Sequence, residues 1–138
     1  ELLVKTKGTT YSGGCEKNIY CPLSYYSYGQ MKIGDFDLEI YHTPGHTAGS
    51  VCIKYKNVLF TGDTLFADCF GRCDLPSSST EDMVYSLTKL YKNYSNLQIY
   101  PGHGTVDVKL SNTYDSVRRI LLYSFDIDID KYLNKGEK

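Results

Sequence analysis

The stretch His42-Thr43-Pro44-Gly45-His46-Thr47-Ala48-Gly49-Ser50 follows directly on the segment Phe36-Asp37-Leu38-Glu39-Ile40-Tyr41. Apolar and polar residues alternate in that preceding segment as they do in a half-buried strand. His46 therefore stands just beyond a strand, in a loop, with a glycine beside it. Two later stretches repeat the form. Asp63 follows Val58-Leu59-Phe60 within Thr61-Gly62-Asp63-Thr64, and His103 follows Ile99-Tyr100 within Pro101-Gly102-His103-Gly104. Strand ends are rigid places from which loops aim polar groups at a shared point. The neighbouring glycines allow main chain to approach where a side chain would obstruct a ligand.

Working outward, Gln30 to Ile33, a Gly34-Asp35 turn and Phe36 to Ile40 predict a hairpin. Val51, Ile53 and Tyr55 alternate, Lys56-Asn57 is turn-like, and Val58 to Phe60 is a short apolar run, so a second strand pair follows. The sheet is expected to be largely local and antiparallel. A helix is predicted from Ser78, where Ser78 and Glu81 form a Ser-x-x-Glu capping box. Met83, Val84, Leu87, Leu90, Tyr91 and Tyr94 give that helix one apolar stripe. Leu97 to Tyr100 returns to strand character, and Ser111 is placed to cap a second helix carrying Val117, Ile120 and Leu121. The tail from Asp126 is expected to fray. Residues 1–28 read as loop-rich, with a strand-like start at Leu2 to Thr6.

With 138 residues and no internal repeat, the chain is read as one domain or part of one, residues 1–138. Fifteen Lys and Arg against sixteen Asp and Glu leave a net charge of -1, which gives general nucleic-acid binding no electrostatic basis. No apolar run approaches the roughly 20 residues that cross a bilayer, so no membrane partner is expected. Cys15, Cys21, Cys52, Cys69 and Cys73 are odd in number and lack the close pairing of thiolate zinc sites. Free thiols in a reducing, cytoplasmic setting are expected.

Imidazole and carboxylate suit zinc or non-haem iron, and a carboxylate has two oxygens with which to bridge two ions. His42 lies within the strand approach with no glycine beside it and is read as a packing or supporting residue. At this point a resemblance emerges. The His42 to Ser50 stretch, Leu59-Phe60-Thr61-Gly62-Asp63-Thr64-Leu65-Phe66, Gly71-Arg72-Cys73-Asp74-Leu75-Pro76 and Tyr100-Pro101-Gly102-His103-Gly104 resemble, in order and spacing, the second half of metallo-β-lactamase-fold hydrolases. The closest likeness is to glyoxalase II, the hydroxyacylglutathione hydrolases, over about Tyr28 to Thr105. The resemblance implies an α+β fold, an αββα sandwich with its metal site at one edge of two sheets. It implies His46 as ligand to a first metal, Asp63 as the catalytic carboxylate bridging both ions, and His103 as ligand to the second. Arg72 matches a position that is often basic and holds glutathione, where a cation suits carboxylates. Two zinc ions are implied as cofactors and a small-molecule thioester, glutathione-linked among them, as substrate. In the implied reaction a metal-generated hydroxide attacks the thioester carbonyl.

The chain departs from the pattern in two places. The family's upstream HxHxDH motif is missing, and His42, His46 and His103 are the only histidines. The chain is therefore expected to be the C-terminal portion of the fold, inactive by itself. After His103 it reads Thr105-Val106-Asp107-Val108 where relatives often carry Thr-Ile-Gly, and Asp74 stands near a position often aromatic in glyoxalase II. Gly-Arg-x-Asp also occurs in persulfide dioxygenases of the same fold, where one Fe(II) would take His46, Asp63 and an upstream His. A thioester hydrolase, an iron dioxygenase and a non-catalytic half-domain are thus the competing functions.

Overall fold

The structure, a computed structural model, describes residues 11–12, 24–25 and 28–135. The expected strand at Leu2 to Thr6 and the thiols of Cys15 and Cys21 lie outside the described residues. Strands β1 (Tyr11–Ser12) and β2 (Ser24–Tyr25) pair in parallel. The main sheet has six strands in sequence order, β3 (Gly29–Ile33), β4 (Phe36–His42), β5 (Val51–Tyr55), β6 (Val58–Gly62), β7 (Gln98–Pro101) and β8 (Val108–Lys109).

Both predicted hairpins form. Ile33 pairs with Phe36 across the Gly34-Asp35 turn, and Tyr55 with Val58 across Lys56-Asn57. The six-stranded sheet is largely antiparallel, as expected, with β6 and β7 its one parallel pair among the described residues. Parallel neighbours need a crossover, and helix α1 (Thr80–Tyr94) supplies it. Strand directions then decide where the loops go. β5 is antiparallel to both β4 and β6, and β7 is parallel to β6, so β4, β6 and β7 all run the same way. Their C-terminal ends share one edge of the sheet.

Period two divides the sheet into two unlike faces. Leu59, Thr61 and Ile99 are fully buried and join Cys52 and the α1 stripe of Met83, Val84, Leu87, Leu90 and Tyr91 in or beside one core. The opposite face carries the cross-strand row Ile40, Ile53, Phe60 and Tyr100, in which Phe60 is 45% exposed. The fold is the expected α+β class, a mixed sheet with helices on one face. The described residues form the six-stranded sheet and the separate β1–β2 pair. None of the described helices is long and apolar enough to cross a membrane.

Three local expectations are corrected. Ser79, not Ser78, caps α1, its Oγ accepting from the Asp82 amide at 3.1 Å. The Ser78-x-x-Glu81 and Ser79-x-x-Asp82 frames overlap, and in the structure the Ser78 hydroxyl accepts from the Leu75 amide and donates to the His46 carbonyl instead of capping. Ser111 does not cap a helix. It lies in a 3-10 turn, Leu110–Thr113, that leads into α2 (Tyr114–Phe125) without a side-chain cap. The tail does not fray over residues 126–133. Ile129 is fully buried, α3 (Asp130–Leu133) follows it, and Asp130 accepts from Tyr114 Oη and from Arg118 Nε at 2.7 Å.

Leu59 fills the centre of the core, so Leu59→Ala should cost about 2–5 kcal/mol in urea unfolding. Burial pushes the Cys52 thiol up to about 11. The unfolded thiol ionises near 9, so the stability tied to the bound proton is complete below that pH and lost as pH climbs toward 11. Unfolding curves from roughly pH 8 to 10.5 should show a pH-dependent loss of stability that is smaller in Cys52→Ala.

Candidate metal centre

Three loops meet at the shared sheet edge, each tied to another by hydrogen bonds. After β4, the Thr43 amide donates to Ser50 O at 2.9 Å and closes the His46 loop on itself. The Thr43 and Thr64 hydroxyls, both buried, lie 3.0 Å apart and join that loop to the Asp63 loop. The turn after β6 is tightened by Thr61 Oγ1 donating to Leu65 O at 2.7 Å. The Gly102 amide donates to Gly62 O at 2.8 Å, which sets the His103 loop beside Asp63.

The two carboxylate oxygens of Asp63 then face different histidines. Oδ2 is 3.7 Å from His46 Nε2, and Oδ1 is 3.3 Å from His103 Nε2. Oδ1 is buried without a hydrogen-bond partner, since the His103 contact is not aligned as one. Gly102 allows this placement: a Cβ there would stand 2.7 Å from Asp63 Oδ1. His46 Nδ1 lies 3.0 Å from the Arg72 carbonyl. A carbonyl only accepts, so Nδ1 carries a proton, and Nε2 is the ring nitrogen that faces Asp63. His46 is largely covered, whereas the His103 side chain is 78% exposed. A depression of about 340 Å³ opens beside them, lined by His46, Asp63, Thr47 and Ser50 among others.

The three histidines thus have separate fates. His46 and His103 meet Asp63, while His42 does not. Its Nε2 donates to Ala48 O at 2.7 Å and its ring stacks on Tyr28 at 4.8 Å. Arg72 is at the site through its main chain. Its guanidinium grips Asp74 at 2.6 and 2.8 Å on the surface and holds that carboxyl below the usual carboxylate range. The carbonyl role has no signal in the sequence, because every residue carries one. Burial raises the Cys69 and Cys73 thiols, which makes them poor thiolate donors.

The donor set fits a divalent cation. Two ligands at zinc distances and tetrahedral angles are about 3.3–3.6 Å apart, close to both separations around Asp63. An unpartnered, buried carboxylate oxygen is costly unless a positive group meets it. Among the described residues no three His, Cys, Asp or Glu converge on one point. The arrangement is two histidine–carboxylate pairs that share Asp63.

The sequence pattern of the metallo-beta-lactamase superfamily matches residues 28–121, well over half of the chain. The chain belongs to this superfamily. Members of the metallo-beta-lactamase superfamily are generally hydrolases that bind metal ions, zinc or iron. The chain is 41% identical over 88 residues to a protein of Methanocaldococcus jannaschii described as a probable metallo-hydrolase, covering 62% of this chain and 43% of that protein. It is also 41% identical over 78 residues to the hydroxyacylglutathione hydrolase GloC of Haemophilus influenzae, covering 54% of this chain and 37% of that one. The crystal structure of ETHE1 from Myxococcus xanthus superposes with a TM-score of 0.77 at 24% identity, covering 99% of this chain and 63% of that one. At that identity the likeness is one of fold. The chain spans less than half the length of the two curated relatives.

Gly102→Ala should displace the Asp63 carboxylate and weaken zinc binding by the full gene product at least about tenfold in chelator competition. Circular dichroism should show the secondary structure unchanged.

Proposed function

We propose that the protein is a metal-dependent hydrolase of thioesters, with hydroxyacyl thioesters of glutathione as its substrate class. The observation that carries this reading is the Asp63 carboxylate set between two imidazoles, Oδ2 toward His46 and Oδ1, buried and unpartnered, toward His103. On this reading His46, Asp63 and His103 would hold the metal ions, with the Asp63 carboxylate shared between the two histidines. The remaining donors come from outside these residues. Zinc suits imidazole and carboxylate donors of this kind.

The bound ions supply Lewis acidity, which acidifies water and neutralises the charge that develops on a carbonyl oxygen. The chain's own residues set the geometry. The Arg72 carbonyl keeps the His46 proton on Nδ1 and the ring turned to Asp63. Gly102 leaves room for the carboxylate. A thiolate departs without needing a proton, so the reaction asks little of a general acid. The Arg72 side chain is 64% exposed and bound to a single carboxylate, Asp74. It can exchange that partner for a substrate carboxylate at the rim.

That same Arg72–Asp74 pair supports a second reading, a mononuclear Fe(II) persulfide dioxygenase, because Gly71-Arg72-Cys73-Asp74 is the pattern shared with those enzymes. One experiment separates the two. The full gene product should contain two metal ions per chain and hydrolyse glutathione thioesters, and Asp63→Ala should cut turnover at least about a hundredfold with loss of metal. One iron per chain with oxygen uptake on a persulfide, and no hydrolysis, would replace the hydrolase reading.

A further inference from the structure

Helix α1 and the turn before it make three hydrogen bonds to three successive carbonyls of the His46 loop. Ser86 Oγ donates to Pro44 O at 2.7 Å, the Ser79 amide to Gly45 O at 2.9 Å, and Ser78 Oγ to His46 O at 2.7 Å. We propose that Ser78 and Ser86 are positioning residues for the metal ligand His46, a clamp that fixes its main chain while the Arg72 carbonyl fixes its ring. The proposal rests on the reading of His46 as a metal ligand.

Neither serine is needed to build the helix. Ser79 provides the cap, and the helix would start at Thr80 without Ser78. A serine inside a helix ordinarily turns its hydroxyl back to the carbonyl four residues earlier. Thr88 in the same helix does so, bonding Val84 O at 2.7 Å. Ser86 instead reaches across to Pro44, 42 positions away, and is 1% exposed. Ser78 bonds in both directions, accepting from the Leu75 amide at 3.1 Å while donating to His46 O. It thereby joins the Gly71 to Pro76 loop, which contains the Arg72 carbonyl, to the main chain of His46.

The contact is too close for any cushion of side chains. A Cβ on Gly45 would lie 2.6 Å from Met83 Cα, and Gly45 takes φ +146. Loop and helix therefore touch backbone to backbone. The position of Nε2 relative to Asp63 depends on where those three carbonyls are held. Groups that orient metal ligands from behind typically contribute about 10–100-fold to metal affinity.

Zinc affinity of the full gene product, measured by chelator competition, tests this with Ser78→Ala, Ser86→Ala, Ser78→Thr, Thr88→Ala and His46→Ala. Ser78→Ala and Ser86→Ala should each weaken zinc about tenfold and change the visible spectrum of the Co(II)-substituted protein. Ser78→Thr, which keeps the hydroxyl, should restore both, and Thr88→Ala should leave both unchanged. Wild-type zinc affinity in the two serine variants, alongside loss in His46→Ala, would overturn the clamp and leave the metal reading standing. Equal weakening in Thr88→Ala would also overturn it, by making the effect one of general helix stability. Undiminished metal binding in His46→Ala would remove the metal reading and the clamp together.

Discussion

The Asp63 carboxylate, set between two imidazoles with its Oδ1 buried and unpaired beside His103, is the constraint on which the remainder of this structure depends. In an apolar setting such an oxygen is a liability, and folding would ordinarily turn it outward or give it a donor. Here the surroundings keep it in place. Gly102 offers no side chain to push against it, and His103 stands near without donating to it. Imidazole and carboxylate together are a donor set that suits a divalent cation.

Strand direction brings these groups together. Because β4, β6 and β7 run the same way, the loops that leave them emerge at one edge. Gly62 and Pro101 are paired across β6 and β7; Asp63 follows Gly62 directly, and His103 lies two residues beyond Pro101. The α1 crossover that makes this parallel pairing possible also presses on the third loop through Gly45, Ser78 and Ser86. One helix thus serves the core through Met83, Leu87 and Leu90 and the site through its first two turns. The packing of the core and the position of the His46 loop are coupled through it.

Much of this was legible in the chain. The hairpins were readable because alternation and turn chemistry are local: Gly34-Asp35 and Lys56-Asn57 sit between strands of opposite direction. The α1 stripe was readable for the same reason. The reading slipped where two local signals overlapped, as at Ser78 and Ser79, or where a distant partner overrode the local one. Ser111 gives way to a 3-10 turn whose Thr113 hydroxyl bonds inward to Tyr91. The Ile-Asp alternation of the tail looked polar enough to fray, yet it places Ile129 in the core and Asp130 on Arg118.

The sequence by itself determined which side chains stand at strand ends, His46, Asp63 and His103, because strand period and glycine punctuation are properties of neighbouring residues. It also determined the superfamily, since those motifs and their order are chemical signatures. Only the tertiary structure decided that Arg72 serves through its carbonyl as well as carrying a charge, that His42 stacks on Tyr28 away from the site, and that two serines hold the His46 loop. Those roles belong to main-chain acceptors and hydroxyls that any sequence contains. They acquire meaning only when folding brings residues 44–46 against residues 72–86, and no local pattern records which segments will meet.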